Sequence, residues 1–140
     1  MKVLKEKIIK DKNFDNAFTN ILIESENHFN NLLKVCANKF EKNTGSYLID
    51  GKKYEYYFEN YNKQKFLFDH IAKKKNKNIL EIGTYMGHSM LIMLLANNNL
   101  SATCIDIDDQ YSKPAIEYLS KSFPNSKLEF VKGDSLKVLK

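Results

Sequence analysis

From residue 78 onward the chain alternates short apolar runs with helical ones, and this alternation limits the fold more than any other feature. Residues 78–82 (Asn-Ile-Leu-Glu-Ile) read as a strand buried on both faces, 83–88 as a turn, and 89–96 as a helix apolar all round. Residues 97–99 form an asparagine connector. A second strand follows over 101–107, a second helix over 112–122, a third strand over 127–132 and a third helix over 135–140. A β-α-β-α-β-α order with elements this short implies a parallel sheet with right-handed crossovers, an α/β fold.

The segment ahead of it has a different grammar. Phe14, Phe18, Ile21, Leu22, Phe29, Leu32, Leu33, Cys36 and Phe40 fall at spacings of three, four and seven, which predicts one packing helix over 14–40. Asn43-Thr44-Gly45-Ser46 stops it. Asp50-Gly51 between β-forming residues predicts a hairpin over 47–57. The tyrosines Tyr47, Tyr54, Tyr56, Tyr57 and Tyr61 read as packing for that hairpin rather than as a stacking platform. A helix over 60–75 follows, with Tyr61, Leu67, Phe68, Ile71 and Ala72 on its apolar side and lysines as a solvated C-terminal cap. The expected division is a helical segment plus hairpin over 1–60 and a ligand-binding unit over 61–140.

The chemistry-bearing segment is Leu80-Glu81-Ile82-Gly83-Thr84-Tyr85-Met86-Gly87-His88-Ser89, which leaves a strand and opens a helix. Gly83 lets the backbone turn sharply, and Gly87 carries no side chain to block a ligand across the helix N-terminus, whose free N–H groups favour an anionic group. A dinucleotide site calls for Gly-x-Gly-x-x-Gly, and Glu81 takes the place of the first glycine. A carboxylate there repels a pyrophosphate and welcomes a cationic ligand, which disfavours a dinucleotide-dependent oxidoreductase. The second strand ends in Asp106-Ile107-Asp108-Asp109, where an acidic side chain can accept from both hydroxyls of a ribose. The third ends in Gly133-Asp134-Ser135, where Asp134 can accept from an exocyclic amine and also cap the next helix. Three such features at the C-terminal ends of successive parallel strands mark the place where open α/β sheets bind ligands.

These residues resemble the first half of a class I S-adenosylmethionine-dependent methyltransferase, a Rossmann-like fold. They are most similar to the small-molecule O-methyltransferases of the catechol and caffeoyl-CoA type. The resemblance covers about residues 61–140, with Asn62-Lys63-Gln64-Lys65 similar to the family's entry segment beside the cofactor. It implies a partial Rossmann-like methyltransferase sheet of three parallel strands lying side by side, with 78–82 at an edge. It implies S-adenosylmethionine as cofactor and an unidentified small molecule as methyl acceptor. Glu81 would face the amino group of the methionine moiety, the backbone of Gly83, Thr84 and Tyr85 would approach the cofactor, and Ser89 would bind its carboxylate. Asp106 would hold the ribose, Ile107 or Tyr111 would cover an adenine face, and Gly133, Asp134 or Ser135 would border its edge. In metal-dependent members the metal-holding carboxylates lie beyond a third strand. The resemblance therefore implies a domain truncated after that strand, with no metal site and with its catalytic residues unknown, to be completed by a second copy or another polypeptide. The alternative is a non-catalytic interaction module on the same scaffold.

Composition narrows the partners. The net charge is +5, and all 22 basic residues are lysine. Arginine is the main bidentate reader of guanine edges and phosphates, so sequence-specific nucleic-acid binding is not expected. The 16 asparagines beside so many lysines fit an AT-rich coding bias. Cys36 and Cys104 stand far apart and in no metal spacing, and read as buried thiols. No apolar run reaches the roughly 18 residues that span a bilayer. Residues 1–12 are broken by charges and lack the apolar stretch of a secretory signal, so the expected location is the cytoplasm.

Overall fold

A computed structural model describes residues 15–36, 47–49, 54–56, 60–73 and 78–140. The sheet follows the expected order. Strands β3 (Asn78–Ile82), β4 (Ser101–Asp106) and β5 (Lys127–Lys132) lie side by side, all parallel, with β3 and β5 at the edges. The separate hairpin pairs β1 (Tyr47–Ile49) with β2 (Tyr54–Tyr56) antiparallel, Ile49 opposite Tyr54. The Asp50-Gly51 turn, Phe14, Phe40, Tyr57 and the 43–46 stop lie outside the described residues.

Where one helix was expected over 14–40 there are two, α1 (Asn16–Glu24) and α2 (Glu26–Cys36). Asp15 caps α1 by accepting the Phe18 N–H at 2.9 Å, which also holds its carboxyl below the ordinary range, with help from Lys65. The break falls at Ser25, whose N–H closes α1 on the Ile21 carbonyl at 3.0 Å while its own carbonyl accepts from His28 at 2.9 Å. The apolar stripe runs through this break. Phe18 and Leu22 from α1 join Phe29, Leu32 and Cys36 from α2 in one buried core. A stripe reports which face is buried and is blind to a one-residue interruption.

Helix α3 (Tyr61–Lys73) packs on α4 (His88–Ala96), and α2 packs on both α4 and α5 (Asp109–Ser122). Tyr61 is a core residue, edge-on to Phe18 at 5.3 Å, with its hydroxyl 2.7 Å from Thr19 Oγ1. Ile71 is buried too, but Ala72 is exposed and the polar Gln64 is buried in its stead. Lys65 ties α3 to the start of α1 through Asp15 at 3.1 Å. His28 Nδ1 lies 2.8 Å from the Tyr118 hydroxyl, joining α2 to α5.

Helix α4 is the centre of the molecule. Met90, Leu91, Ile92 and Leu94 are fully buried, each worth roughly 1.5–3 kcal/mol of apolar burial. Helix α5 starts three residues before the expected Ser112, because Asp108 caps it by accepting the Gln110 N–H at 2.8 Å. Pro114 falls inside it. The last helix is one turn, α6 (Ser135–Val138). Both cysteines are free and buried.

The helices cover one face of the sheet. Ala102 and Cys104 of β4 belong to the core, with Ile79, Leu128 and Phe130 packed against it. On the opposite face Leu80 is 51% and Ile82 57% exposed, so β3 is an edge strand buried on one side only. The expectation of burial on both faces is thus corrected within the described residues. An Ile-Leu-x-Ile run shows that a strand can be buried, not that both faces find a neighbour. Ile105, between Ile82 and Val131 in the register, is the buried residue of that face.

Candidate functional site

In-register parallel pairing brings the three strand tips to one level. The ladder runs on past the strands through Gly83 N–H to the Ile105 carbonyl at 2.9 Å and Gly133 N–H to the Asp106 carbonyl at 2.8 Å. The turns that follow are therefore neighbours.

The first turn has unusual backbone. Gly83 has φ +77°, Tyr85 φ +49° and Gly87 φ +74°. A left-handed tyrosine is uncommon and needs an external hold. Asp106 provides it, its Oδ2 accepting the Tyr85 N–H at 2.7 Å while Oδ1 accepts from Asp108 N–H at 3.1 Å. The Tyr85 ring packs on Tyr111 at 5.1 Å.

Two hollows open at these tips and meet at Gly83. One, of about 230 Å³, is lined by Ile82, Gly83, Ile105, Asp106, Ile107, Gly133, Asp134 and Ser135. The other, of about 210 Å³, runs past Gly83, Thr84, Tyr85 and Met86 to His88, Ser89, Asn60 and Lys63. A larger hollow of about 450 Å³ lies between α5 and β5 and contains none of the strand-tip residues. Size does not choose the site here. The convergence of turns, helix N-terminus and carboxylates does.

Behind the first turn Thr84 is 4% exposed; its hydroxyl and the Cys104 thiol lie against the Glu81 carboxyl, although no well-formed hydrogen bond reaches Thr84 Oγ1 or Glu81 Oε2. Glu81 pairs with Cys104 in the register and so sits on the helix-covered face. Burial pushes its carboxyl up to about 7, against the pull of the Thr84 hydroxyl and the Cys104 thiol, and the Asp106 carboxylate adds to the rise. Burial likewise pushes Cys104 up to about 12 and His88 down to about 4, so the thiol is protonated and the imidazole neutral near pH 7. Near pH 7 such a carboxyl is about half ionised, and a cation beside it would draw it to the charged form.

Of the residues singled out from the sequence, Gly83, Thr84, Tyr85, Ser89, Asp106, Ile107, Gly133, Asp134 and Ser135 line one hollow or both. Asp134 also caps α6, accepting the Leu136 N–H at 3.0 Å. Three others stand elsewhere. Glu81 lies behind the turn. Tyr111 is buried in the core and leaves the exposed Ile107 as the candidate for an adenine face. Gly87 is buried against α5, where an added Cβ would meet Ala115 at 3.1 Å and Leu119 at 3.3 Å. Its missing side chain serves packing, not ligand access. Around Gly83 an added Cβ would meet nothing within 4 Å, so this glycine is the one that leaves room. Lining residues not foreseen are Asn60, Lys63, Ile82, Met86, His88 and Ile105. The sequence offered Lys63 only as part of the 62–65 segment, with no signal for which of its residues faces the turn.

Comparison with known proteins agrees with this geometry. The family model described as O-methyltransferase matches residues 49–140, more than half of the chain. A protein of Arabidopsis thaliana described as a caffeoyl-CoA O-methyltransferase is 36% identical over 64 residues. That stretch is 45% of this chain and 28% of the relative, so the chain matches less than a third of the relative's length. Family members of the caffeoyl-CoA type use S-adenosylmethionine as methyl donor. The residues present fit such a group: a buried acid for an ammonium, an open glycine turn, the start of α4 for a carboxylate and an acid at the tip of β4 for a ribose. With three parallel strands in order, their tips converged and most of its length matched by one family model, the chain belongs to the O-methyltransferase family.

Proposed function

We propose that this chain binds S-adenosylmethionine across the tips of β3, β4 and β5 and serves methyl transfer to an oxygen of a small molecule. The observation that carries the reading is the pair of hollows joined at Gly83, with Thr84, backed by the Glu81 carboxyl, at one end and Asp106 and Asp134 at the other. The bound cofactor supplies a methyl group on a sulfonium, activated without help from the protein.

The residues then have separate tasks. Ionised Glu81 favours the ammonium of the methionine moiety. Ser89 and the N–H groups opening α4 receive the carboxylate. Asp106 retains a lone pair on each oxygen after accepting from Tyr85 and Asp108, which leaves it able to accept from ribose hydroxyls. Ile107 covers an adenine face, and Asp134 or Ser135 borders its edge. Alignment is the main service to an in-line displacement, and it is a large rate term. The methyl acceptor is a small molecule bound outside these residues. Assembly with a second copy or another polypeptide fits the exposed Leu80 and Ile82. A cytoplasmic setting fits two free thiols and, among the described residues, the lack of a helix long and apolar enough to cross a membrane.

Calorimetric titration with S-adenosylhomocysteine and with NAD tests the reading. Saturable heat with the first and none with the second is expected, because the Glu81 carboxyl behind the glycine turn disfavours a pyrophosphate there. Binding of NAD alone, or of neither, overturns it.

A further inference from the structure

We propose that Lys63 is the cation that fixes the carboxylate end of the cofactor, a role that rests on the cofactor reading above. Lys63 lies in the first turn of α3, a helix with no acidic residue in that turn. A lysine there faces the positive end of the helix macrodipole, an unfavourable place unless an anion shares it. Its neighbour Lys65 is paired with both Asp15 and Asp69, at 3.1 and 2.6 Å. Among the described residues Lys63 has no such carboxylate, and it lines the hollow that ends at His88 and Ser89.

The opposite wall is also positive. Helix α4 opens there, and its N-cap is Gly87, which has no side chain to accept the first-turn N–H groups. Thr84, which lines the same hollow, is buried with its hydroxyl near the Glu81 carboxyl and in no well-formed hydrogen bond. Two helix N-termini and an ammonium thus border one hollow of about 210 Å³ with no carboxylate among the described residues that line it; Asp106 reaches its turn at the Tyr85 N–H, and Glu81 stands behind it. The arrangement separates the two charges of an amino-acid group, with Glu81 for the ammonium and Lys63 for the carboxylate.

The test compares two ligands that differ in that group. S-adenosylhomocysteine carries the amino-acid end, and methylthioadenosine keeps the nucleoside and sulfur without it. Calorimetry on the full chain, unaltered and as Lys63→Met and Lys63→Arg, gives the affinities. Lys63→Met is expected to weaken S-adenosylhomocysteine about tenfold, the loss of one charge-assisted hydrogen bond, and to leave methylthioadenosine unchanged. Lys63→Arg is expected to retain most of the affinity. Unchanged S-adenosylhomocysteine binding in Lys63→Met overturns the assignment, and so does an equal loss for both ligands, which would mark a structural role. If the unaltered chain binds neither, the cofactor reading itself falls and takes this one with it.

Discussion

The carboxylate of Asp106 holds the backbone of Tyr85, Oδ2 to N–H at 2.7 Å, across the tips of β4 and β3. Under the proposed cofactor reading one side chain therefore has two duties, keeping a left-handed tyrosine in place and presenting an acceptor to a ribose. Asp106→Ala removes both. Binding of S-adenosylhomocysteine is expected to weaken by about 1.5–3 kcal/mol, and the melting temperature to fall as well. Calorimetry paired with a thermal melt checks this, and unchanged affinity would remove Asp106 from the site.

The two left-handed glycines of the turn separate packing from access. Gly83→Ala meets open space, so its cost in stability is expected to be only the backbone term of about 1–2 kcal/mol, with a marked loss of ligand affinity. Gly87→Ala carries the same term plus a Cβ against Ala115 and Leu119, and is expected to be the less stable of the two. Urea unfolding of both variants ranks them. The reverse order would show that Gly87, not Gly83, has the free space.

The raised Glu81 carboxyl predicts a pH dependence of defined sign. Its ordinary value of 4.5 applies to the unfolded chain and about 7 to the folded one. Between these values the folded state holds more protons, so this group's contribution to stability falls as pH rises, by about 3 kcal/mol across the window. His88 acts oppositely, its buried imidazole costing stability as pH falls from 6.5 toward about 4. Subtracting the Glu81→Gln profile from that of the unaltered chain cancels His88. The variant is expected to gain relative stability toward pH 8. A flat difference between pH 5 and pH 8 would show that Glu81 is ionised throughout.

Lysine without arginine predicts weak attraction to polyanions and no sequence preference. Gel shifts with several RNAs at physiological salt are expected to show faint association that vanishes as salt rises. A tight, salt-resistant complex with one RNA would refute this.

The exposed face of β3 predicts self-association of the isolated chain. Light scattering is expected to show species above the monomer, and Leu80→Lys with Ile82→Thr to reduce them without lowering the melt. A strictly monomeric unaltered chain would contradict it.

Strand order and the meeting of the three strand tips were legible because they follow from local signals. Each strand is a short apolar run bounded by turn residues, and parallel crossovers carry successive tips to one edge. What was not legible depends on contacts between segments remote in sequence. Ser25 breaks a helix whose apolar stripe does not falter. Gly87 looks like a ligand glycine until α5 is laid over it. Tyr111 and Ile107 are equal candidates until one turns inward. Lys63 becomes conspicuous only when α3 docks on α4 and brings its first turn beside the glycine turn.

Helix α4 is buried on every side, so the turn that leads into it cannot shift without disturbing the core. Under the proposed reading the amino-acid end of the hollow is thus a rigid mould, formed before any ligand arrives and needing little ordering to receive one. The nucleoside end of that reading rests on Ile107, 73% exposed, and on the single turn of α6. Stringency is therefore graded along the ligand, strict at Thr84–Ser89 and tolerant at Ile107. Analogues altered at the base should be accepted more readily than analogues altered at the amino acid.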